Sequence, residues 1–470
     1  MQEPTERVKY GVLMQRRHFL SLLSSTASGA PTPQPPPNFV FIMADDLGVF
    51  DLGCYGQKQI RTPHIDRLAS QGTRFTSCYA GASVCAPSRS VLMTGQHTGH
   101  TTVRANASLR TGQRVALRAD DLTAATVLKG PEWKHGYDEN YGYSTGIFGK
   151  WGLGEPGTAG LPNDHGFDEW FGFLNQQHAH YHYPDYLWRN RSKEPLKGNF
   201  GGQKREYASD LFIREALYFI DRHRYEPFFL YFTPTIPHAQ FDAPSLGGYA
   251  NEAWPEEARH YAAMVTRMDS YVGSIMARLE DTGLAANTVV FFCSDNGGTF
   301  DGPFGTMGPL RGKKGSNYEG GLRIPMIVRW PGQVAAGAVS DFPWSFADVL
   351  PTLADLAGAR GIPRQVDGIS VAPMLLGRKQ NAERPIYWES HDGGGFQQAV
   401  RLGPWKALRS GLEGAVELYD LSVDPGEKAN VAATQPAVVR RIEEFLTSAR
   451  MDAPEYPVRG RRRVSLSPRP

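Results

Sequence analysis

The residues able to do chemistry fall into a few short runs. Cys85-Ala86-Pro87-Ser88-Arg89 sets a cysteine two residues before a proline and four before an arginine. Pro87 fixes its own φ and offers no amide, which shapes the turn carrying Cys85. Ser88 to Met93 can then start a helix whose amides face an anion near that cysteine. Arg89 lies one helical turn along the same face. A free cysteine is more often a small core hydrophobe than a nucleophile, but four fixed residue types within five positions favour a functional reading.

Asp45-Asp46 and Asp295-Asn296 each follow an apolar run. Adjacent carboxylates repel each other until a cation relieves them. The four side chains all offer oxygen, a set that selects a hard cation, Ca2+ or Mg2+, over zinc. Lys150, between Gly149 and Trp151-Gly152, reads as an anion contact, and the proline-stiffened loop Pro234-Thr235-Ile236-Pro237-His238 presents a general-acid candidate. His178, His180 and His182 crowd into five residues; with no acid close by they make a poor metal cluster. Together with Tyr181, Tyr183, Tyr186 and Trp188 they are suited to lining a pocket for a sugar ring.

These residues need a sheet to bring them together. Asn38–Ala44, Pro227–Phe232 and Asn287–Cys293 are continuous apolar runs, the pattern of strands buried on both faces of a parallel sheet. Tyr143–Phe148 leads to Lys150 in the same way. Open α/β sheets build their sites at the carboxyl ends of such strands. Helical periodicity marks Glu206–His223 and Tyr261–Leu279, and Thr62-Pro63 caps a further helix. After Leu376-Gly377 the pattern changes to short strands at Ile386–Trp388, Gln398–Leu402, Trp405–Leu408 and Glu417–Asp420, then a helix near Val438–Ala449. The expected fold class is α/β: a mostly parallel central sheet between helices, plus a smaller C-terminal subdomain with a short antiparallel sheet and a helix. The expected division is 1–37 for a leader and proline-rich linker, 38–376 for the catalytic part, 377–457 for the subdomain and 458–470 for a basic tail.

Composition narrows the function classes. The 470 residues exceed what one core usually organises. A net charge of +2 argues against a nucleic-acid partner held by bulk charge, and no apolar run has the length of a membrane span. Four cysteines are too few for a disulfide scaffold; Cys54 and Cys78 are the better candidates for a single bridge, and Cys293 reads as core. Met14-Gln15-Arg16-Arg17-His18-Phe19-Leu20, a short apolar stretch and Ala27-Ser28-Gly29-Ala30 form a twin-arginine export signal, with Met14 as an alternative start. The expected location is the bacterial periplasm or the exterior, reached through the twin-arginine machinery. Gly130–Asn140 reads as a surface insertion.

Strand-D-D-L-G, C-x-P-S-R, G-K-W, P-x-I-P-H, S-D-N-G, G-K-x-G followed by Y-E-G-G, and a late L-Y-D-L-x-x-D-P-G-E run occur in one order between Asn38 and Ala433. Together they resemble the formylglycine-dependent sulfatases of the alkaline-phosphatase-like superfamily. The resemblance implies an alkaline-phosphatase-like α/β/α sandwich and oxidation of Cys85 to 3-oxoalanine (Cα-formylglycine) by a formylglycine-generating or other sulfatase-maturing enzyme. It implies one Ca2+, with Mg2+ the other choice, held by Asp45, Asp46, Asp295, Asn296 and the modified Cys85. Arg89 would steady the aldehyde hydrate, Lys150 and Lys314 would bind sulfate oxygens, and His238 would meet the leaving oxygen. One hydroxyl of the hydrate would attack sulfur; loss of the other's proton would then expel sulfate.

The resemblance has one departure. The family run G-K-W-H-L-G carries a histidine where this chain has Gly152. A subgroup with G-K-W-G-L-G and a later A-H-aromatic run points to His180 for that role, ahead of His178. The implied substrate is a sulfated small molecule or glycan, with aryl sulfates as model esters. Two alternatives stay open at this stage: a phosphodiesterase or phosphonate monoester hydrolase using the same modified cysteine, and a catalytically dead glycan-binding homologue.

Overall fold

The apolar runs form the middle of an eleven-stranded sheet. The computed structural model describes residues 35–130, 142–359, 362, 364–381, 383–391 and 395–458. The twin-arginine leader, the 131–140 part of the expected insertion and the Arg459–Arg463 run lie outside the described residues. The strands of the large sheet are β1 (Asn38–Ala44), β2 (Thr73–Tyr79), β3 (Ser144–Lys150), β4 (Glu169–Phe173), β5 (Tyr186–Arg189), β6 (Ser192–Pro195), β7 (Phe228–Thr233), β8 (Thr288–Ser294), β9 (Arg323–Arg329), β10 (Ala338–Ser340) and β11 (Trp344–Ser345). Their order is β10-β2-β9-β8-β1-β7-β3-β4-β5-β6, with β11 also paired to β2.

The central run β8-β1-β7-β3-β4 is parallel throughout. The flanks are not: β9 runs antiparallel to both β8 and β2, and β5 and β6 form an antiparallel edge. In β1 the side chains alternate between two cores, as the two-residue period of a strand requires. Val40 and Ile42 join Leu230, Phe232, Val290 and Phe292 under α1 (Pro63–Ser70) on one face. Phe39, Phe41 and Met43 join Phe229, Tyr231, Val289 and Phe291 on the other, with α2 (Cys85–Thr94) and α3 (Ala124–Lys129). The first face is completed by α4 (Ala208–Arg222) and α5 (Glu256–Asp281). On α5, Met264, Met268, Val272, Ile275 and Leu279 repeat at helical spacing and are fully buried; each such side chain contributes about 1.5–3 kcal/mol.

A single-turn helix α6 (Glu319–Leu322) leads into β9, and α7 (Val349–Ala357) and α8 (Ala372–Leu375) follow the large sheet. The short strands then form a separate antiparallel sheet, β12 (Pro385–Ser390), β13 (Gln397–Leu402), β14 (Trp405–Ser410) and β15 (Val416–Asp420). One face packs on α9 (Pro436–Leu446) through Tyr387, Val400, Leu418, Ile442 and Leu446. The other meets Tyr79 and Leu322 of the large-sheet region through Ile386, Trp388 and Leu408.

A buried charge cluster ties the two sheets together. Glu319 accepts from Lys406 Nζ (2.9 Å), Arg323 Nε (2.7 Å) and the Tyr79 hydroxyl (2.9 Å). Glu427 accepts from the Glu319 amide at 2.7 Å. The same region holds the loop that carries Lys314: Arg311 donates to the Glu427 carbonyl (3.1 Å) and accepts from Gly320 N (2.8 Å). No disulfide forms, since all four cysteines are free. Cys54 is fixed through its amide to Asp66 (2.7 Å) and Cys78 lies in β2, facing the apolar core, so the expected bridge is not made. Among the described residues no helix is long and apolar enough to cross a membrane.

Candidate active site

Neighbouring strand ends supply the site because the parallel register aligns them. Ala44 of β1 pairs with Ser294 of β8. The ladder continues one rung beyond, with Asp295 N on the Ala44 carbonyl (3.1 Å) and Asp45 N on the Ile236 carbonyl (3.1 Å). The next two residues of each turn, Asp46 and Asn296, are therefore brought side by side. Asn296 Nδ2 donates to Asp46 Oδ1 (2.8 Å), and the Asp46 amide donates to Asp295 Oδ1 (3.2 Å). Ser294 Oγ, accepting from Leu47 N (2.9 Å), pins one turn to the other. Asp46 adopts φ +68, a left-handed conformation that costs a non-glycine residue energy and clusters at functional sites.

Cys85 is not on a turn but is the first residue of α2, with Val84 as its cap. All ten residues of α2 are buried, so its face toward the strand ends is held rigidly. Cys85 Sγ lies 3.5 Å from Asp45 Oδ1. Burial pushes its thiol up to about 12, against the opposing effect of Lys150 and Lys314; unmodified, it is a protonated, weak nucleophile. One turn on, Arg89 is fully buried and reaches Asp295 Oδ2 with both Nε (3.2 Å) and an NH2 (2.9 Å). It also donates to the Lys150 carbonyl (2.7 Å) and approaches Asp45 at 3.6 Å. Ser88, which no motif singled out for chemistry, donates to the Asp295 carbonyl and accepts from Gly81 N at 3.1 Å.

Lys150 is the last residue of β3, and Gly149 before it explains how it arrives. Gly149 has φ +129, and a side chain there would sit 2.0 Å from the Thr233 carbonyl of β7. Only glycine lets the two strands stay paired while the chain swings Lys150 inward. Its Nζ meets Asp45 Oδ2 at 2.7 Å. Lys314 Nζ reaches both oxygens of Asp46 (2.7 and 2.8 Å) and His238 Nε2 (3.2 Å). His238 donates from Nδ1 to the Ala239 carbonyl, which leaves Nε2 facing the site. Burial would raise the Asp45 carboxyl, but Lys150, His238, Arg89 and Lys314 together hold it well below the usual carboxylate range. Asp295 goes the other way, raised by burial and by Asp45 beside it. Lys314 is held well above its ordinary value by Asp46 despite its burial.

The three crowded histidines separate in space. His180 stacks on His238, ring centroids 4.3 Å apart. Burial, then His238 and Lys150, lowers its pKa to about 4, so it is neutral near pH 7. His178 instead packs between Phe173 and Tyr186. His182 donates from Nε2 to the carbonyls of His238 (3.2 Å) and Gln240 (2.8 Å) and so buttresses the His238 loop.

Above Cys85 opens a cavity of about 910 Å³, walled by His180, His238 and Lys314 and further out by Asn106, Gln113, Arg114, Glu155 and Thr158. The aromatics expected to line it do not. Tyr183 packs on Tyr207, Tyr186 on Trp188 and His178, and none of the four lines the cavity. Its outer wall is polar, with Arg114 paired to Glu155 at 3.3 Å. Sequence reasoning missed these residues because they sit in loops without a motif. A second histidine cluster, His97, His100 and Asp367, is occupied in holding loops together: Asp367 accepts from the His97 amide (2.9 Å) and pairs with His100 Nδ1 (2.8 Å).

The sulfatase family model matches residues 37–359. The chain belongs to the sulfatase family. A second model, the C-terminal region of N-sulphoglucosamine sulphohydrolase, matches residues 313–452 and so spans the Lys314 loop and the small sheet. N-acetylgalactosamine-6-sulfatase of Sus scrofa is 34% identical over 89% of this chain and 81% of its own length. Arylsulfatase A of Bos taurus is 32% identical, covering 89% of each chain. Among solved structures, Ps i-CgsB in complex with k-i-k-neocarrahexaose matches with a TM-score of 0.75 and 31% identity over 87% of this sulfatase and 93% of that chain. This sulfatase is thus a sulfuric ester hydrolase with the alkaline-phosphatase-like fold.

Proposed function

We propose that this sulfatase hydrolyses sulfate monoesters of carbohydrates, using a formylglycine made from Cys85 and one Ca2+ on Asp45, Asp46, Asp295 and Asn296. The observation that carries the reading is the convergence of these four residues, Arg89, Lys150, Lys314 and His238 on Cys85. The donor set suits a hard cation: three buried carboxylates, and Asn296 Oδ1, which is buried without a hydrogen-bond partner among the described residues. Such an ion supplies charge neutralisation and polarises an ester oxygen. The hydrated aldehyde supplies a hydroxyl nucleophile at residue 85.

The chain's own residues do the rest. Arg89 holds Asp295 and Asp45 at fixed separation and keeps positive charge behind residue 85. Lys150 and Lys314, which pair with Asp45 and Asp46, hold ammonium groups at the site that would bind sulfate oxygens. Cations clamped on those oxygens stabilise charge that grows as sulfur is attacked. His238, anchored through Nδ1, presents Nε2 to the departing alcohol oxygen. His180, neutral and stacked against it, takes the proton-accepting role that the glycine at 152 cannot perform. The polar wall of the cavity favours a sugar over an apolar alcohol. Export by the twin-arginine route and maturation by a formylglycine-generating enzyme belong to the same reading.

The test combines peptide mass with hydrolysis. Protein made alongside a maturing enzyme should give a Cys85 peptide lighter than the thiol form, and it should release sulfate from sulfate esters far faster than phosphate from matched phosphate esters. A thiol in every active molecule, or a preference for phosphate esters, overturns the proposal.

A further inference from the structure

Gln176 stands where Gly152 leaves room. A Cβ built on Gly152, whose φ is +81, would lie 2.1 Å from Gln176 Nε2. The Gln176 amide therefore fills the volume that any side chain at 152 would enter, and it lines the same cavity as Cys85, His180, His238 and Lys314. The residue is 6% exposed. Among the described residues neither Nε2 nor Oε1 has a hydrogen-bond partner. A buried primary amide has two donors and a carbonyl acceptor to satisfy, and native proteins rarely leave all of them unmet. Its neighbours in the cavity wall do not meet the need: Glu155 is taken by Arg114 and Asn175, and His238 by Ala239 and Lys314.

A sulfate group can satisfy only half of this side chain. Its oxygens accept from Nε2, but they have no hydrogen to give to Oε1. A hydroxyl on the alcohol part of the substrate has one. We propose that Gln176 is a specificity-determining residue that reads the alcohol side of the ester, donating from Nε2 to an ester oxygen and accepting at Oε1 from a hydroxyl next to the sulfated carbon. The site would then select sulfate esters of polyols, sulfated sugars, over aryl sulfates, which offer no such donor. The polar outer wall of Asn106, Gln113, Arg114 and Thr158 fits a hydroxyl-bearing substrate as well. This inference rests on the sulfatase reading of the same cavity.

The experiment compares a 4-sulfated N-acetylhexosamine, whose C3 hydroxyl adjoins the sulfated carbon, and 4-methylumbelliferyl sulfate on matured wild type, Gln176→Met and Gly152→Ala. Methionine keeps the volume and removes both donor and acceptor, while a methyl at 152 displaces the amide but also strains a backbone of φ +81 close to Lys150, so Gly152→Ala is read only through the ratio of the two esters. Hydrogen bonds to a charged or well-placed group are worth enough that kcat/KM on the sugar ester should fall about 10–100-fold further than on the aryl ester in both variants. The difference should appear mainly in KM. Calorimetry supplies a readout independent of turnover: in a Cys85→Ala background, Gln176→Met should weaken binding of the sugar ester more than that of the aryl ester. Equal losses on the two esters, or no loss, with calorimetric affinities that move together, overturn the role of Gln176. A matured wild type that hydrolyses neither these nor other sulfate esters overturns the sulfatase reading itself.

Discussion

Replacing Lys406 with methionine tests how the small sheet is held to the large one. Lys406 is fully buried, 2.9 Å from Glu319 Oε1 and 3.6 Å from Glu427 Oε1, and its ammonium lies 5.5 Å from the Trp388 ring centroid. Burial alone would raise the Glu319 carboxyl; Lys406 first, then Arg323 and Arg401, hold it instead at about 2 against an ordinary 4.5. That gap corresponds to about 3 kcal/mol of preference for the charged form. Methionine keeps most of the lysine stem against Trp388 but strips the charge, leaving Glu427 Oε1 without its nearest cation. The expected loss is about 3 kcal/mol, at the lower edge of the ~3–5 kcal/mol seen when one partner of a buried pair is removed. Urea unfolding followed by tryptophan emission measures it, and a double-mutant cycle with Glu319→Gln should return a coupling of about 1.5 kcal/mol or more. A loss under about 1 kcal/mol, with the two substitutions additive, would refute the view that this pair is a main tie between the sheets.

Two further outcomes follow from the geometry. Lys314→Ala removes a cation that contacts both Asp46 and His238, and kcat/KM on a sulfate ester should fall about 10²–10³-fold, as for loss of a charge-stabilising donor; a change under about threefold would remove Lys314 from the site. Stability should also fall in acid. Glu319 and Glu389 are buried carboxylates held at about 2, the first by Lys406, Arg323 and Arg401 and the second by His391, Arg104 and Arg450. Their folded values lie below the unfolded value near 4.5, so this stability is fully present above about pH 4.5 and is lost as the pH falls towards 2. Glu389→Gln should flatten melting temperature against pH in that window, and an unchanged slope would count against its part.

Much of the site was legible in the chain because each strand of the parallel core is a continuous apolar run with its chemistry one or two residues beyond. Asn38–Ala44 and Thr288–Ser294 are such runs, and Asp45, Asp46, Asp295 and Asn296 follow them directly. Parallel pairing without a shift then brings the four together. Cys85 and Arg89 share a helix, where a spacing of four is enough to place them on one face. Local composition likewise carried the change from long buried strands to the short alternating ones of the small sheet.

Tertiary structure decided what depends on contacts between distant loops. No spacing rule separates His178, His180 and His182; they diverge because a one-turn helix sends the first into the Phe173 and Tyr186 rings and only the second onto His238. Of the aromatics that looked fit to stack on a sugar, Tyr183, Tyr186 and Trp188 pack on other rings and Tyr181 is exposed away from the cavity lining, where polar side chains predominate. Cys54 and Cys78 resembled a bridge only while their partners were unknown. Gln176 carries no motif at all. Its meaning comes from Gly152, twenty-four positions earlier, whose missing side chain makes the space that the amide fills. A sequence displays which groups are present and in what local rhythm, whereas occupancy of a shared volume is settled only when the chain closes on itself.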